Sequence, residues 1–349
     1  MSDAATPLTV SLVLGSGGAR GYAHIGVIEE LEASGFAIRS IAGSSMGALI
    51  GGIYAAGKLG VYTEWVRPLQ RLDVLRLLDW TISGGGFIKG DRIISVLKEH
   101  IGEINIEDLP IPYTAVAVDL DVQREVWFSH GPLFDAIRAS IAIPTIFRPY
   151  HYQGRLLVDG GLLNPLPVSP TLRDLTDCTI AVDINAPAEP LDTIATSEGD
   201  RGAAGQASPE MLPDGAKPAP VDVQRAGYRK RIAEFVESLM EKRERTPTES
   251  EPGAFELFAR SLDTVQETIT RLKLAAEPPD LLITIPRNAC AFYEFHRADE
   301  LIALGRKRTR EALARWHVPA SRIRRHHYSK RQQRRIGSLL WIPKRACFI

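Results

Sequence analysis

Short runs of apolar, often β-branched residues alternate along the chain with segments in which apolar residues recur every three or four positions. The runs predict buried strands, and the periodic segments predict amphipathic helices. The predicted strands are residues 8–14, 38–42, 113–119, 124–129, 156–158, 179–183 and 281–285. The predicted helices are a segment ending at Ser34 and residues 48–56, 61–78, 90–100, 132–140, 254–274 and 297–315. Strands that alternate with helices indicate an α/β fold whose mostly parallel sheet is covered on both faces.

Residues 43–47, which read Gly-Ser-Ser-Met-Gly, lie between a predicted strand and a predicted helix. A serine raised above a sheet edge by a tight turn needs neighbours almost without side chains, and Gly43 and Gly47 meet that need. The helix that begins here directs its unpaired N–H groups toward any oxyanion that forms on a substrate. The pattern makes Ser45 a candidate nucleophile, with an ordinary strand-to-helix turn as the alternative.

A second glycine-rich turn, residues 15–21, separates the first strand from the first helix and predicts a nest of backbone N–H groups that binds an anion. It is not a dinucleotide fingerprint, because Arg20 stands where the third glycine would be. Residues 52–58 fit the start of a Walker A motif, but Leu59 replaces its Ser or Thr. We expect Gly17 and Gly18 to form an oxyanion hole that faces Ser45; a plain tight turn is the alternative.

Asp159 ends the short predicted strand 156–158 and is followed by Gly160 and Gly161. A carboxylate at a strand end, next to glycines that allow close backbone approach, suits the edge of an active site. An ordinary Asp-Gly turn is the alternative.

The composition changes after residue 185. Residues 186–219 are rich in Pro, Gly, Ala and acidic residues, which predicts a disordered insertion or a mobile lid. Residues 225–244 form a charged amphipathic stretch, either a lid helix or a helix packed on the domain. We therefore divide the chain into a catalytic core (1–185), an insertion (186–253), the C-terminal part of the same domain (254–320) and a tail (321–349).

The tail holds nine of the 42 Lys and Arg residues and none of the 42 Asp and Glu residues, although the whole chain has a net charge of zero. Most of these cations precede the apolar residues 339–342, a combination typical of peripheral contact with an anionic membrane. A solvated, disordered end is the alternative. Beyond the tail, nothing in the pattern favours nucleic acid as a partner.

The three cysteines, Cys178, Cys290 and Cys347, are scattered and form no C-x-x-C pair. We therefore expect reduced thiols, no metal site and a cytoplasmic protein. No run of 18 apolar residues predicts a membrane span.

The two glycine-rich turns and the Asp-Gly-Gly segment, in this order, resemble the patatin-like phospholipase family. The similarity is greatest to its bacterial members and to the esterase domain of the neuropathy-target-esterase group. It extends from residue 8 to residue 305 apart from the insertion, and includes residues 139–144 with Phe147, Asn164, and residues 297–299 with Gly305. The resemblance implies a three-layer α/β/α fold that hydrolyses phospholipid or lysophospholipid esters without a cofactor.

The same resemblance implies a catalytic dyad without histidine. Ser45 would be the nucleophile, Asp159 would take its proton, and Gly17 and Gly18 would hold the oxyanion of a reaction with an acyl-enzyme intermediate. Arg20 would support the turn or bind a lipid phosphate.

Two other functions compete with this one. A Ser-Asp-His triad of an esterase or thioesterase could use Ser45, Asp159 or Asp183, and His296. A lipid-binding protein without catalysis could keep the same scaffold.

Overall fold

A sheet of eight strands organises the computed structural model, which describes residues 7–81, 85–190 and 254–316. The strands are β1 (Thr9–Leu14), β2 (Ala37–Ser44), β3 (Gly86–Ile88), β4 (Tyr113–Asp119), β5 (Arg124–Phe128), β6 (Thr145–Phe147), β7 (Tyr150–Tyr152), β8 (Arg155–Asp159), β9 (Cys178–Ala186) and β10 (Leu281–Pro286). The sheet order is β10-β9-β1-β2-β4-β8-β7, with β5 also paired to β4, while β3 and β6 form a separate pair. The pairs from β10 to β4 are parallel and those among β4, β5, β7 and β8 are antiparallel, which confirms the mostly parallel sheet.

Helices flank this sheet and complete the three-layer α/β/α fold. They are α1 (Ala23–Ala33), α2 (Met46–Ala55), α3 (Leu59–Val66), α4 (Arg71–Leu77), α5 (Asp91–Ile101), α6 (Leu133–Ser140), α7 (Ala254–Ala276) and α8 (Ala298–Arg315). The apolar run of β1 is buried on both sides, because Leu12 and Leu14 belong to the main core cluster and Val13 to a second one. Alternate residues of a strand point to opposite faces, so this burial is what a sheet between two helical layers requires.

One edge of β4 is shared by two strands that end there. β5 pairs with residues 115–119 of β4 and so occupies the other edge. On the shared edge, the parallel strand β2 ends with Ser44 opposite Val116, and the antiparallel strand β8 ends with Asp159 opposite Ala117. The carboxyl ends of β2 and β8 therefore meet at two consecutive residues of β4.

The first and last helices touch through their backbones. A Cβ atom built on Gly26 of α1 would lie 1.9 Å from the carbonyl oxygen of Ile302, and one built on Gly305 of α8 would lie 2.1 Å from that of Ala23. These two glycines allow the close approach, which fixes α8 against the first helix of the core.

The structure corrects the predicted helix 61–78, which is two helices. α3 ends at Val66 with Arg67 as its C-cap, and Pro68 follows, which has no N–H to continue the helical hydrogen bonds. α4 then begins with a capping box in which Gln70 and Asp73 bond each other's backbone N–H groups. The short strands β3, β6 and β7 were not predicted, whereas the hairpin of β4 and β5 is confirmed.

Three predictions concern residues outside the described part of the chain: most of the insertion 186–253, including the helix at 225–244; Cys347; and the basic tail 321–349. Among the helices that the structure describes, none is both long enough and apolar enough to cross a bilayer.

We predict that Gly26→Ala lowers the free energy of unfolding by about 2 kcal/mol or more, because its methyl group forces α1 and α8 apart. Gly60→Ala is the matched control, since Gly60 is a helical glycine whose Cβ would meet no atom within 4 Å. This control is expected to be neutral or stabilising by up to about 1 kcal/mol. Urea denaturation of the three proteins measures both effects, and equal stability of Gly26→Ala and Gly60→Ala would contradict the proposed helix contact.

Candidate active site

Ser45 occupies the tight turn between β2 and α2. Its backbone angles are φ 54° and ψ −121°, a conformation that is strained for a residue with a side chain. A Cβ on Gly43 would lie 2.4 Å from the carbonyl oxygen of Gly47, and one on Gly47 would lie 2.0 Å from that of Leu14. Both glycines are therefore required for the turn, and α2 begins at the residue after Ser45.

The Ser45 hydroxyl group donates a hydrogen bond of 2.5 Å to Oδ2 of Asp159. Both side chains are buried, with 3% and 4% of their surface exposed. The N–H of Gly161 donates to the other carboxylate oxygen at 2.7 Å. Burial raises the pKa of Asp159 from 3.8 to about 7, and the hydrogen bonds from Ser45 and Gly161 oppose that rise.

Ser140, at the end of α6, holds the turn in place. The N–H of Ser45 donates to its Oγ at 2.9 Å, and its hydroxyl group donates to the carbonyl oxygen of Val116 at 2.6 Å. Two residues later, the carbonyl oxygen of Ala142 accepts from the N–H of Asp159 at 3.0 Å. The segment 139–144, which the sequence predicts as the end and exit of helix 132–140 and which is also part of the family resemblance, thus supports both Ser45 and Asp159.

The glycine-rich loop after β1 is held by hydrogen bonds on both sides of Gly17 and Gly18. The N–H of Ser16 donates to the carbonyl oxygen of Pro165 at 2.8 Å, and the N–H of Ala19 donates to the carbonyl oxygen of Phe292 at 2.8 Å. In the part of the chain that the structure describes, the N–H groups of Gly17 and Gly18 have no acceptor. Both residues line a cavity with Ser45 and Asp159. Their role as an oxyanion hole stays a prediction.

Two features of this loop explain its shape. Gly18 has a φ of 57°, and a Cβ there would lie 2.4 Å from the carbonyl oxygen of Phe292, so only glycine fits. Behind the loop, His24 donates through Nε2 to the carbonyl oxygen of Gly15 at 2.8 Å. Burial lowers the pKa of His24 to about 4, so this imidazole is neutral near pH 7 and serves the loop.

The cavity has an empty volume of about 450 Å³, part of which is open to solvent. Apolar residues form much of its wall, and a few polar groups converge on it beside the Ser45–Asp159 pair. The apolar lining consists of Ile143, Ile146, Phe258, Ala259, Leu262 and Phe292; the polar lining includes Ser16, Arg20, Asp263 and Gln266.

Arg20 is almost fully buried and binds mainly to the protein. Its guanidinium group donates to the carbonyl oxygen of Arg287 at 2.8 Å and to Oδ1 of Asn185 at 2.7 Å, and lies 3.4 Å from the Asp263 carboxylate. These contacts fit the predicted support of the turn. Binding of a lipid phosphate by Arg20 stays a prediction.

In the described part of the chain, the alternative triad lacks its histidine at the cavity that Ser45 and Asp159 line. His296 accepts a hydrogen bond from Nε of Arg71 at 3.2 Å, and no histidine is among the described residues that line the cavity. Asp183 accepts from the N–H of Asn185 at 2.9 Å and lies outside the cavity lining.

Sequence reasoning missed the five residues of α7 that line the cavity, which are Phe258, Ala259, Leu262, Asp263 and Gln266. The periodicity of 254–274 predicted a helix correctly, but it gave no sign of which face meets a site.

Within the described residues, no group of three or more His, Cys, Asp or Glu side chains is arranged to hold a metal ion.

Residues 12–172 match the sequence profile of the family described as patatin-like phospholipase. An uncharacterised NTE family protein of Mycobacterium tuberculosis is 41% identical over 327 residues, which cover 87% of this chain and 91% of that protein. A neuropathy target esterase of Drosophila persimilis is 33% identical over 166 residues, which cover 46% of this chain and 12% of that protein. With the patatin-type order of motifs, the α/β/α fold and this similarity along most of its length, the chain belongs to the patatin-like NTE family.

Proposed function

We propose that the protein is a serine acyl hydrolase that cleaves carboxylic esters of phospholipids or lysophospholipids through a Ser45–Asp159 dyad. The observation that carries this proposal is the 2.5 Å hydrogen bond from the Ser45 hydroxyl group to Asp159, at a cavity that Gly17 and Gly18 also line. A nucleophile, its base and two N–H donors then surround one reacting carbonyl group. Membership of a lipid-hydrolase family supports the same reaction class.

In the first step, Ser45 Oγ attacks the carbonyl carbon while its proton passes to Asp159. The oxyanion that forms accepts hydrogen bonds from Gly17 and Gly18, in a loop whose other contacts hold it in place before the reaction. The bond to the leaving alcohol breaks, Asp159 returns the proton to that oxygen, and an acyl ester of Ser45 remains. Water then attacks the ester by the same route and restores the free serine and carboxylate.

The raised pKa of Asp159 makes this histidine-free scheme chemically reasonable. A carboxylate with an ordinary pKa near 4 is a weak base, whereas a pKa of about 7 places Asp159 near the pH at which a general base works best. The burial that raises the pKa also excludes competing water from the hydrogen bond to Ser45.

The cavity lining supports an amphipathic substrate. Its apolar wall, which includes Ile146, Leu262 and Phe292, would contact an acyl chain. Arg20 and Asp263 lie among the polar groups and would be near the glycerol or head group.

We predict that Ser45→Ala reduces turnover of a fluorogenic ester to background, because it removes the atom that carries the acyl group. Asp159→Asn keeps the shape but removes the base, and is expected to lower kcat/KM by about 10²- to 10⁴-fold. A fluorophosphonate should label Ser45 in the wild type and fail to label Ser45→Ala.

His296→Ala is the control for the triad alternative and should keep most of the activity. A loss as deep as that of Ser45→Ala, at an unchanged melting temperature, would replace the dyad by a triad. No turnover and no labelling in the wild type would favour the lipid-binding alternative.

We predict opposite pH effects of Asp159 on activity and on stability. Activity requires the ionised base, so kcat/KM should rise with pH to a plateau with an apparent pKa near 7. The free energy of unfolding changes in the opposite direction, because the folded state favours the protonated form of Asp159. The stabilisation by this protonated carboxyl group is fully present below pH 3.8 and is lost as the pH rises through about 7. The melting temperature of Asp159→Asn minus that of the wild type should therefore increase as the pH rises from 3.8 to about 7. A difference that stays constant across this range would contradict a buried base.

We also propose that residues 321–349 hold the enzyme peripherally on anionic membranes, a proposal that rests on the sequence alone. A variant with the nine Lys and Arg residues of this tail replaced by Gln should lose binding to phosphatidylglycerol vesicles at low salt. Co-sedimentation at low and high salt measures this, and equal binding of both proteins would exclude the tail as the membrane contact.

A further inference from the structure

Helix α7 carries one buried amide side chain at the catalytic cavity. Gln266 lies in the middle of this helix, is only 7% exposed and lines the cavity with Ser45 and Asp159. Glutamine is mostly a surface residue, and a buried one normally uses its hydrogen-bonding groups. The contacts of each end of its amide group therefore indicate what it does.

The oxygen end of the amide group is fixed by two donors. Oε1 accepts from the Ser16 hydroxyl group at 3.2 Å and from Nδ2 of Asn185 at 3.1 Å. Nδ2 of Asn185 also donates to the carbonyl oxygen of Ser16 at 2.9 Å, so the three side chains form one network around the glycine-rich loop. With Oε1 held by donors on this side, the NH₂ group must point the other way.

The nitrogen end has no acceptor among the residues that the structure describes, and it lies beside Asp159. A Cβ built on Gly161 would lie 2.7 Å from Nε2 of Gln266 and 3.0 Å from Oδ1 of Asp159. The amide nitrogen and the carboxylate are thus on the same side of Gly161, and any side chain at 161 would fill the space between them. This arrangement leaves a neutral donor next to the base.

We propose that Nε2 of Gln266 donates a hydrogen bond to the oxygen that exchanges protons with Asp159. The inference rests on the proposed dyad. In acylation this is the ester oxygen of the leaving alcohol, which takes the proton from Asp159 as its bond to carbon breaks. In deacylation it is the water that gives a proton to Asp159 and attacks the acyl-Ser45 carbonyl group. The two oxygens occupy one position because the second step reverses the first with water in place of the alcohol.

A water molecule at this position needs both partners. Asp159 accepts one of its protons, and a donor to its other side holds the oxygen in place and prevents the water from rotating freely. Gln266 supplies such a donor without a charge, so it does not disturb the ionisation of Asp159.

The experiment separates the two chemical steps. With p-nitrophenyl butyrate, the leaving phenolate needs no proton, so acylation should be nearly independent of Gln266, whereas deacylation still needs the held water. Gln266→Met should therefore slow deacylation about tenfold, the value of one hydrogen bond, and produce a stopped-flow burst of nitrophenol near one equivalent. Intact-protein mass spectrometry should show butyryl-enzyme accumulating in this variant.

Gln266→Glu separates catalysis from loop support, because it keeps an oxygen for Ser16 and Asn185 and replaces the donor by a second carboxylate oxygen, with an added negative charge near Asp159. It should show the same selective loss of deacylation, measured at pH 9 so that Asp159 is ionised. Thr270→Val, a buried change one turn further along α7 and outside the cavity lining, is the packing control and should leave both steps unchanged.

Two results would overturn the inference: wild-type rates of both steps in Gln266→Glu, or equal loss of acylation and deacylation in both Gln266 variants. Failure of the proposed function has different signatures: no acyl-enzyme forms on Ser45 in the wild type or in the Gln266 variants if serine catalysis is wrong, and Asp159→Asn keeps wild-type turnover if the dyad is wrong.

Discussion

The candidate site depends on the division of one edge of β4 between two strands that approach from opposite directions. Backbone hydrogen bonds set the register of β2 and β8 on β4, so Ser44 and Asp159 fall opposite the neighbouring residues Val116 and Ala117. The spacing between paired strands is nearly constant, and it brings the serine turn and the carboxylate within hydrogen-bond distance without any flexible connection. Val116 also accepts from Ser140, so the same part of β4 positions the support of the turn.

Burial and hydrogen bonding act on Asp159 in opposite directions. Desolvation is the larger effect and raises its pKa, while the Ser45 hydroxyl group and the Gly161 N–H favour the ionised form. A fully hydrated carboxylate would be too weak a base, and an apolar site without these donors would keep it protonated at neutral pH. The pKa of Asp159 lies between these two cases, and the burial of its carboxylate lowers the stability of the folded chain.

The sequence allowed prediction of those parts of the site that a local backbone constraint marks. Gly43 and Gly47 mark Ser45 because no side chain fits there, and Gly18 marks the loop because of its positive φ. The α/β order of elements was equally readable from periodicity.

Other parts depend on contacts between distant residues and leave no local pattern. The hydrogen bond from Ser45 to Ser140 spans 95 positions, and that from Ser16 to Gln266 spans 250. The three-residue strands β3 and β6 are too short to show a period. The break between α3 and α4 does have a local mark in the sequence, which is Pro68. It was not predicted because apolar residues recur with helical spacing on both sides of this proline.

The cavity is assembled from two separate lengths of chain. Ser45, Asp159 and the glycine-rich loop lie within residues 12–172, the part that matches the family profile, whereas Phe258, Leu262 and Phe292 come from beyond residue 253. Mutations in the later stretch can change the wall of the cavity while the register on β4 that joins Ser45 and Asp159 stays unchanged. In the proposed hydrolase, selectivity for the acyl chain would therefore depend on residues beyond 253, and the reaction itself on residues of the first stretch.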